Sequence, residues 1–311
     1  MAETLELWEK PESKEINMII GWRQWADAGS VSSGLPEYLI DQLQAQPVGN
    51  LRPDGFYLFQ IPGTHDLVRP VIKFDEGFPE WLGSQRNEFF YAGDESRGLL
   101  IFLGDEPHMD IERYVDSILQ AAKTFHVNKI IGVGGVYGEL PYDKERVVSC
   151  IYSQRELKDE LQGLAVTFSD YQGGASIGSY FCKRAVAQAI PFIEFYAFVP
   201  TYDFSNVAQA GSSIRIETDY MAWLGVMRRV SHLLGLDMDL SDLEAKSQEL
   251  LAAMDARVEQ VDAASPELGV RDYMRKLSTE FKETPFNPED EYWEEELRRI
   301  FNKIDPDHPE E

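Results

Sequence analysis

Residues 97–138 constrain this chain more than any other stretch. Residues 98–103 form a short apolar run suited to a buried strand, residues 111–125 repeat apolar side chains at helical spacing, and residues 128–133 form a second strand-like run. Strand, helix and strand within roughly 40 residues make the βαβ unit of a parallel sheet, because parallel neighbours need a crossover of that length. Such sheets receive ligands outside the carboxyl ends of their strands. The turn at 104–108 and the glycine-rich run at 134–138, read as a second turn, are therefore expected at one rim.

The rest of the chain extends that unit on both sides. Residues 16–22 read as a first buried strand, leading through Asp27 and Gly29 into a helix over 31–43. Pro36 falls in that helix's first turns, where its missing N–H costs little. Residues 55–60 and 67–74 read as a strand pair, with Pro70 marking an edge or bulge, and 87–92 as another strand. After the central unit come strands over 146–152, 165–169 and 192–199. A short helix over 154–161 and a longer one opening near Ser176 lie between them.

From Asp219 the pattern becomes helical. Tyr220, Trp223, Leu224, Met227, Val230 and Leu234 share one face, and Ser241 with Glu244 matches a capping box opening a helix to about residue 261. Leu268, Tyr273, Leu277 and Phe281 mark a third helix. An acidic final helix carries Trp293, Leu297, Ile300, Phe301 and Ile304. The expected architecture is α/β, a three-layer α/β/α sandwich with a mixed, largely parallel sheet. It divides into a core domain over 1–216 and a C-terminal helical extension over 217–311, packed on the core or on a neighbouring subunit.

Composition narrows the function classes. The 54 acidic residues outnumber the 29 basic ones, for a formal net charge of −25. That balance repels phosphate backbones and anionic lipid, which argues against nucleic acid and membrane as partners. Two cysteines, Cys150 and Cys182, make neither a disulfide framework nor a CxxC metal site. No apolar run approaches the ~20 residues of a membrane helix, and the first residues lack a secretory pattern, so a cytoplasmic protein is expected.

Several residues could carry chemistry. Gly174, Ser176 and Gly178 match the GxSxG nucleophile elbow, with a strand before and a helix after. The histidines beyond it are His232, off the apolar stripe of its helix, and His308 near the end; neither suits a general base, so Ser176 reads first as part of a helix start. The run Gly132, Gly134, Gly135 and Gly138 lacks the third glycine of a dinucleotide fingerprint and reads as backbone lying close to a neighbour. Glu106 and His108 could serve acid–base chemistry or cap the helix that follows them. Asp27 reads as an N-cap. Arg69 and Arg146 are the cations expected to turn inward towards Asp27 or Glu106. No metal and no cofactor are expected.

Taken in order, these loops resemble the family of proteins similar to proteasome assembly chaperone 2. The resemblance rests on Gly21 and Trp22 with Asp27 to Gly29, on Arg69 and Pro70, and on residues 104–108, 132–141, 171–174 and 199–202. The longer helical tail is similar to the bacterial, especially actinobacterial, branch. The resemblance implies a fold like the nucleoside phosphorylases, with C-terminal helices packed on it, and homo-oligomers, with a trimer favoured. The loops read above, taken together, make the expected ligand- or partner-binding rim Gly21, Trp22, Asp27, Gly29, Arg69, Glu106, His108, Gly134, Gly135, Arg146, Gly173, Gly174, Ser176 and Tyr202. Two departures stand out: Tyr142 replaces a histidine common after the glycine run, and the last residues lack the hydrophobic-Tyr-any tail of archaeal relatives that engage proteasomes. Docking by that tail is not expected. The function expected is that of a non-enzymatic protein-interaction or assembly-chaperone-like factor, its contacts made by the acidic surface and helical tail. The alternative is a small-ligand binder or enzyme, phosphorylase- or hydrolase-like, using Asp27, Glu106 and Gly174 to Ser176.

Overall fold

The computed structural model describes residues 4–23, 25–60, 69–83, 85–204 and 213–286. In chain order its first half holds β1 (Leu5–Leu7), β2 (Glu15–Arg23), α1 (Gly34–Gln42), β3 (Gln46–Leu51), β4 (Ile72–Asp75), β5 (Phe78–Leu82), β6 (Asn87–Gly93), β7 (Arg97–Asp105) and α2 (Ile111–Thr124). There follow β8 (Val127–Gly138), β9 (Val148–Tyr152), α3 (Leu157–Leu161), β10 (Thr167–Phe168), α4 (Ile177–Gln188), β11 (Phe192–Asp203), β12 (Ser213–Arg215), α5 (Tyr220–Leu234), α6 (Ser241–Ala264) and α7 (Val270–Glu280).

The apolar runs fall on the middle of one sheet, ordered β1-β3-β6-β7-β2-β8-β11-β9-β10, with β12 paired to β11. The central strands β7, β2, β8 and β11 run parallel, and the flanking pairs β6–β7, β3–β6 and β11–β9 are antiparallel. Alternation along β2 shows why helices cover both faces. Ile16, Met18, Ile20 and Trp22 pack with Tyr114 and Ile118 of α2 and Phe181 of α4. Ile19 faces the other way, into a core built with α1, α3, α5, α6 and α7. A strand buried on both sides needs no polar face, which is why these runs are continuous in the sequence. The expected α/β/α sandwich is the observed one.

Several local expectations are corrected. Residues 55–60 are not a strand; the Phe56 carbonyl accepts from the N–H groups of His108 at 2.8 Å and Met109 at 3.0 Å, which bends this segment over the start of α2. The strand at this edge is β3, hidden in the sequence by Pro47 and Gly49. A Cβ on Gly49 would lie 2.5 Å from the Glu6 carbonyl oxygen, so the glycine allows β1 to pair there. The strand read over 67–74 begins outside the described residues and continues as β4, which pairs with β5 in a separate hairpin exposed at every position. The glycine run at 134–138 is the end of β8, not a turn. The capping box at Ser241 does not form: Ser241 is the first helical residue, and its N–H is taken by the Asp239 carboxylate at 2.9 Å. The final helix and His308 lie outside the described residues.

Candidate functional site

The carboxyl ends of β8 and β11 meet the segment that follows β2. Residues 26–28 run against β8 backbone to backbone: the Gly135 N–H donates to the Ala26 carbonyl at 2.8 Å, and a Cβ on Gly135 would stand 2.0 Å from the Ala28 carbonyl oxygen. Gly21 allows the same closeness on β2, where an added Cβ would meet the Ser32 carbonyl at 1.9 Å. The glycines that resembled a binding fingerprint thus serve close approach of main chain. Gly29 has φ of +62°, in the left-handed region that favours glycine. Its carbonyl accepts from the Asp219 N–H and the Trp223 indole.

Two acids tie this segment down. Asp27 Oδ1 accepts from the N–H groups of Ser32 at 2.9 Å and Ser33 at 2.8 Å, and Oδ2 from the Ser33 hydroxyl at 2.6 Å. It caps the approach to α1, as its position before a helix implied. Burial raises its pKa from the ordinary carboxylate value. Glu106 also caps a helix, but not α2: its carboxylate accepts from the Ile177 N–H of α4 at 3.2 Å, and burial raises its pKa too.

Across the cleft, Ser176 opens α4. Its Oγ accepts from the Ser179 N–H at 3.2 Å and lies 2.8 Å from the Tyr196 hydroxyl. Burial, then the neighbouring Glu194, hold Tyr196 far above its usual pKa, so it takes no proton from Ser176 near neutral pH. A serine bound in this way is a cap rather than an activated nucleophile. The cleft between these segments measures about 710 Å³. Asp27, Gly135, Gly174 and Ser176 line it, so the structure brings these rim residues together. Trp25, Tyr137, Tyr171, Tyr196 and Phe198 supply aromatic walls, and Arg215 lies over the Tyr137 ring at 4.7 Å. Gly134 adjoins the cleft beneath Tyr196, and Gly173 packs by the Tyr171 hydroxyl.

The remaining rim residues lie elsewhere. Arg69 is exposed and bound to Gln60 and the Phe59 ring, so it answers neither Asp27 nor Glu106. Arg146 is turned inward, but towards Asp219 at 2.7 Å. His108 accepts from the Leu58 N–H at Nδ1, and burial lowers its pKa. Trp22 is core, its indole donating to Tyr114 at 3.1 Å, and Tyr202 donates to the Leu140 carbonyl under the sheet's end. Glu194 escaped the sequence reading. Its signal was a single acid inside the apolar run of β11. Among the described residues no group of three or more His, Cys, Asp or Glu side chains could hold a metal ion, and no helix is long and apolar enough to cross a membrane.

Residues 22–258 match the model of the PAC2 family. The chain belongs to the PAC2 family. Its fold is similar to that of a proteasome-assembly chaperone homologue from Mycobacterium tuberculosis, with 20% identity and a TM-score of 0.66, over 78% of this chain and 94% of that one. A PAC2 family protein from Streptomyces avermitilis is similar at 19% identity and TM-score 0.66, over 80% and 99%. PbaB of Pyrococcus furiosus, an archaeal proteasome activator, is similar at 21% identity and TM-score 0.57, over 81% and 97%. At these identities the likeness shows the fold. A comparison with curated proteins finds no match. The family resemblance carried by the rim loops is borne out, although the loops themselves divide between cleft and frame.

Proposed function

We propose that this PAC2-family chain is a non-enzymatic assembly factor that works by holding a protein partner. The names of its structural relatives, a proteasome-assembly chaperone homologue and a proteasome activator, favour a proteasome subunit as that partner. The observation that carries the reading is the β4–β5 hairpin. Ile72, Phe74, Phe78, Trp81 and Leu82 are all exposed on it, Phe78 by 74%. A two-stranded hairpin is marginal by itself in water, and an open apolar patch of this kind marks a protein contact. Aromatic side chains dominate the energetics of such contacts. In this reading the contact lies on the hairpin rather than on the acidic tail. The protein is cytoplasmic, forms a homo-oligomer with three copies favoured, and uses residues 217–311 as an extension of the 1–216 core. Of the rim set, the residues that line the cleft, Asp27, Gly135, Gly174 and Ser176, are retained as a ligand site.

The test uses the full chain and purified, unassembled α subunits of the cognate proteasome on native gels, with light scattering for oligomeric mass. Wild type is expected to bind, and the double substitution Phe78→Asp with Trp81→Ser to weaken binding at least about tenfold. Exposed substitutions of this kind leave stability within about 0.5 kcal/mol, so lost binding is not lost folding. Wild type that ignores the subunits, or a variant that binds at full strength, defeats the proposal.

A further inference from the structure

The β4–β5 hairpin leaves its backbone as open as its side chains. Glu76 and Gly77, with φ of +46° and +89°, make the two-residue turn between Asp75 and Phe78. Two positive φ values in a row are the primed turn that suits a twisted hairpin. Such a turn closes on hydrogen bonds between the residues flanking it, here Asp75 and Phe78. Along an antiparallel ladder bonded and non-bonded pairs alternate, so the next pair, Phe74 with Pro79, is a non-bonded one. Pro79 has no N–H to give, in keeping with that parity. The N–H and the carbonyl of Phe74 point away from β5, along the outer edge of β4.

The two edges of the hairpin are not equivalent. On β5, Pro79 removes an outward donor, and the shift in register between Lys73 and Phe74 leaves Glu80 as an extra residue that bends the strand. Both features blunt an edge against further pairing. β4 has neither. Ile72 to Asp75 run without interruption and are exposed at every position. A two-stranded ribbon is marginal in water, and further strands on this edge would stabilise it.

Charge decides which strand fits there. At a net charge of −25, two copies of the chain repel in general, so a contact between them needs opposite charges locally. β4 supplies them. When a second copy runs antiparallel with Phe74 facing Phe74, Lys73 of each copy lies opposite Asp75 of the other. Opposite charges directly across a pair are favourable, and the two-fold axis gives two such pairs. Centring the contact on Lys73 or on Asp75 would instead set like charges face to face. Lys73 also ion-pairs with Glu80 at 2.5 Å, an exposed contact that Asp75 of the second copy would share. In this register the outward N–H and carbonyl of each Phe74 meet those of the other, the pair that exchanges both hydrogen bonds.

We propose that two copies of this chain pair through the outer edges of β4, antiparallel about Phe74, into a four-stranded sheet. Ile72, Phe74 and Leu82 of both copies then share one face, while Phe78 and Trp81 stay open on the other. The pairing uses the hairpin's edge and leaves free the aromatic anchors of the partner contact, so either can fail without the other. Where three copies assemble through other surfaces, the edges join two such sets. An edge of this length buries less than a permanent interface does, so the association reverses on dilution.

The full chain is followed by light scattering and sedimentation velocity over about 1–200 µM. Wild type should reach an even number of chains at the top of that range and fall to half on dilution. Phe74→Pro removes an N–H that β5 does not use, and should weaken the pairing at least about tenfold. Lys73→Glu sets acid against acid and should weaken it at least about fivefold. Adding Asp75→Lys to Lys73→Glu restores opposite charges and should recover the wild-type mass, which separates lost pairing from a damaged hairpin. An odd number of chains in wild type throughout, a Phe74→Pro mass equal to wild type at every concentration, or a double exchange no better than Lys73→Glu alone overturns the proposal.

Discussion

Asp219 and Glu194 are both acids removed from water, on opposite faces of the same sheet. Asp219 is answered from every side. Arg146 reaches it at 2.7 and 3.3 Å, and the N–H groups of Met221 and Ala222 reach it at 3.1 Å each. Arg146 spends its other donors on the carbonyls of Tyr142 and Lys144. This pair fastens the strand that becomes β9 to the start of α5, and it is structural. Glu194 has no cation, one oxygen without a partner, and a path of hydroxyls to a cleft. Burial alone therefore does not distinguish a fastening acid from a poised one. What surrounds the carboxyl does.

The comparison breaks first at Arg146. Arg146→Met leaves Asp219 buried without its cation, and unfolding by denaturant should show a loss of roughly 3–5 kcal/mol. A loss below about 1 kcal/mol would mean the helix cap alone suffices for Asp219.

Glu194→Gln should act in the other direction, with a dependence on pH. The folded pKa of about 8 lies above the ordinary 4.5, so between those values the folded chain holds a proton that the unfolded chain has shed. The acid's contribution is complete below about pH 4.5 and is lost as pH rises towards 8. Removing the titration should stabilise the variant at pH 8 by roughly 2–4 kcal/mol relative to wild type, with little difference near pH 4. Parallel stability curves for the two proteins would show that Glu194 does not titrate in this window.

A smaller effect sharpens the contrast. Gly178→Ala drives a methyl into the Glu194 carboxyl and should cost roughly 1–3 kcal/mol, measured by thermal or urea unfolding. In a Glu194→Ala background most of that cost should vanish, because the two sites share one space.

Much of the architecture was legible because buried parallel strands must be apolar on both faces. The runs in β2, β7, β8 and β11 and the helical spacing of α2 and α5 carry that requirement in local sequence. What stayed hidden depends on distant neighbours. Gly134 and Gly135 read as a turn, yet they lie in β8 because Tyr196 and the Ala28 carbonyl need the room. Residues 55–60 have the aromatic content of a strand, but backbone bonds to His108 and Met109 take them elsewhere. Arg146 was correctly turned inward and wrongly partnered, since nothing local points to Asp219, 73 residues away. The cleft was half visible. Asp27, Gly174 and Ser176 announced it through loop chemistry, whereas Tyr196 and Arg215 reach it from β11 and β12, with Glu194 buried behind, by pairing that no local pattern displays.

The wall of the cleft is joined to the sheet mostly by main chain, with the Ser32 hydroxyl accepting from the Trp22 N–H at 2.8 Å. Carbonyls of Ala26 and Ala28 lie against Gly135, and that of Ser32 against Gly21, leaving no room for a Cβ at either glycine. Trp25, just outside this seam, can therefore be exchanged for residues of other size or charge while the seam stays shut. What the cleft accepts can thus be altered at its lip without disturbing the seam beneath.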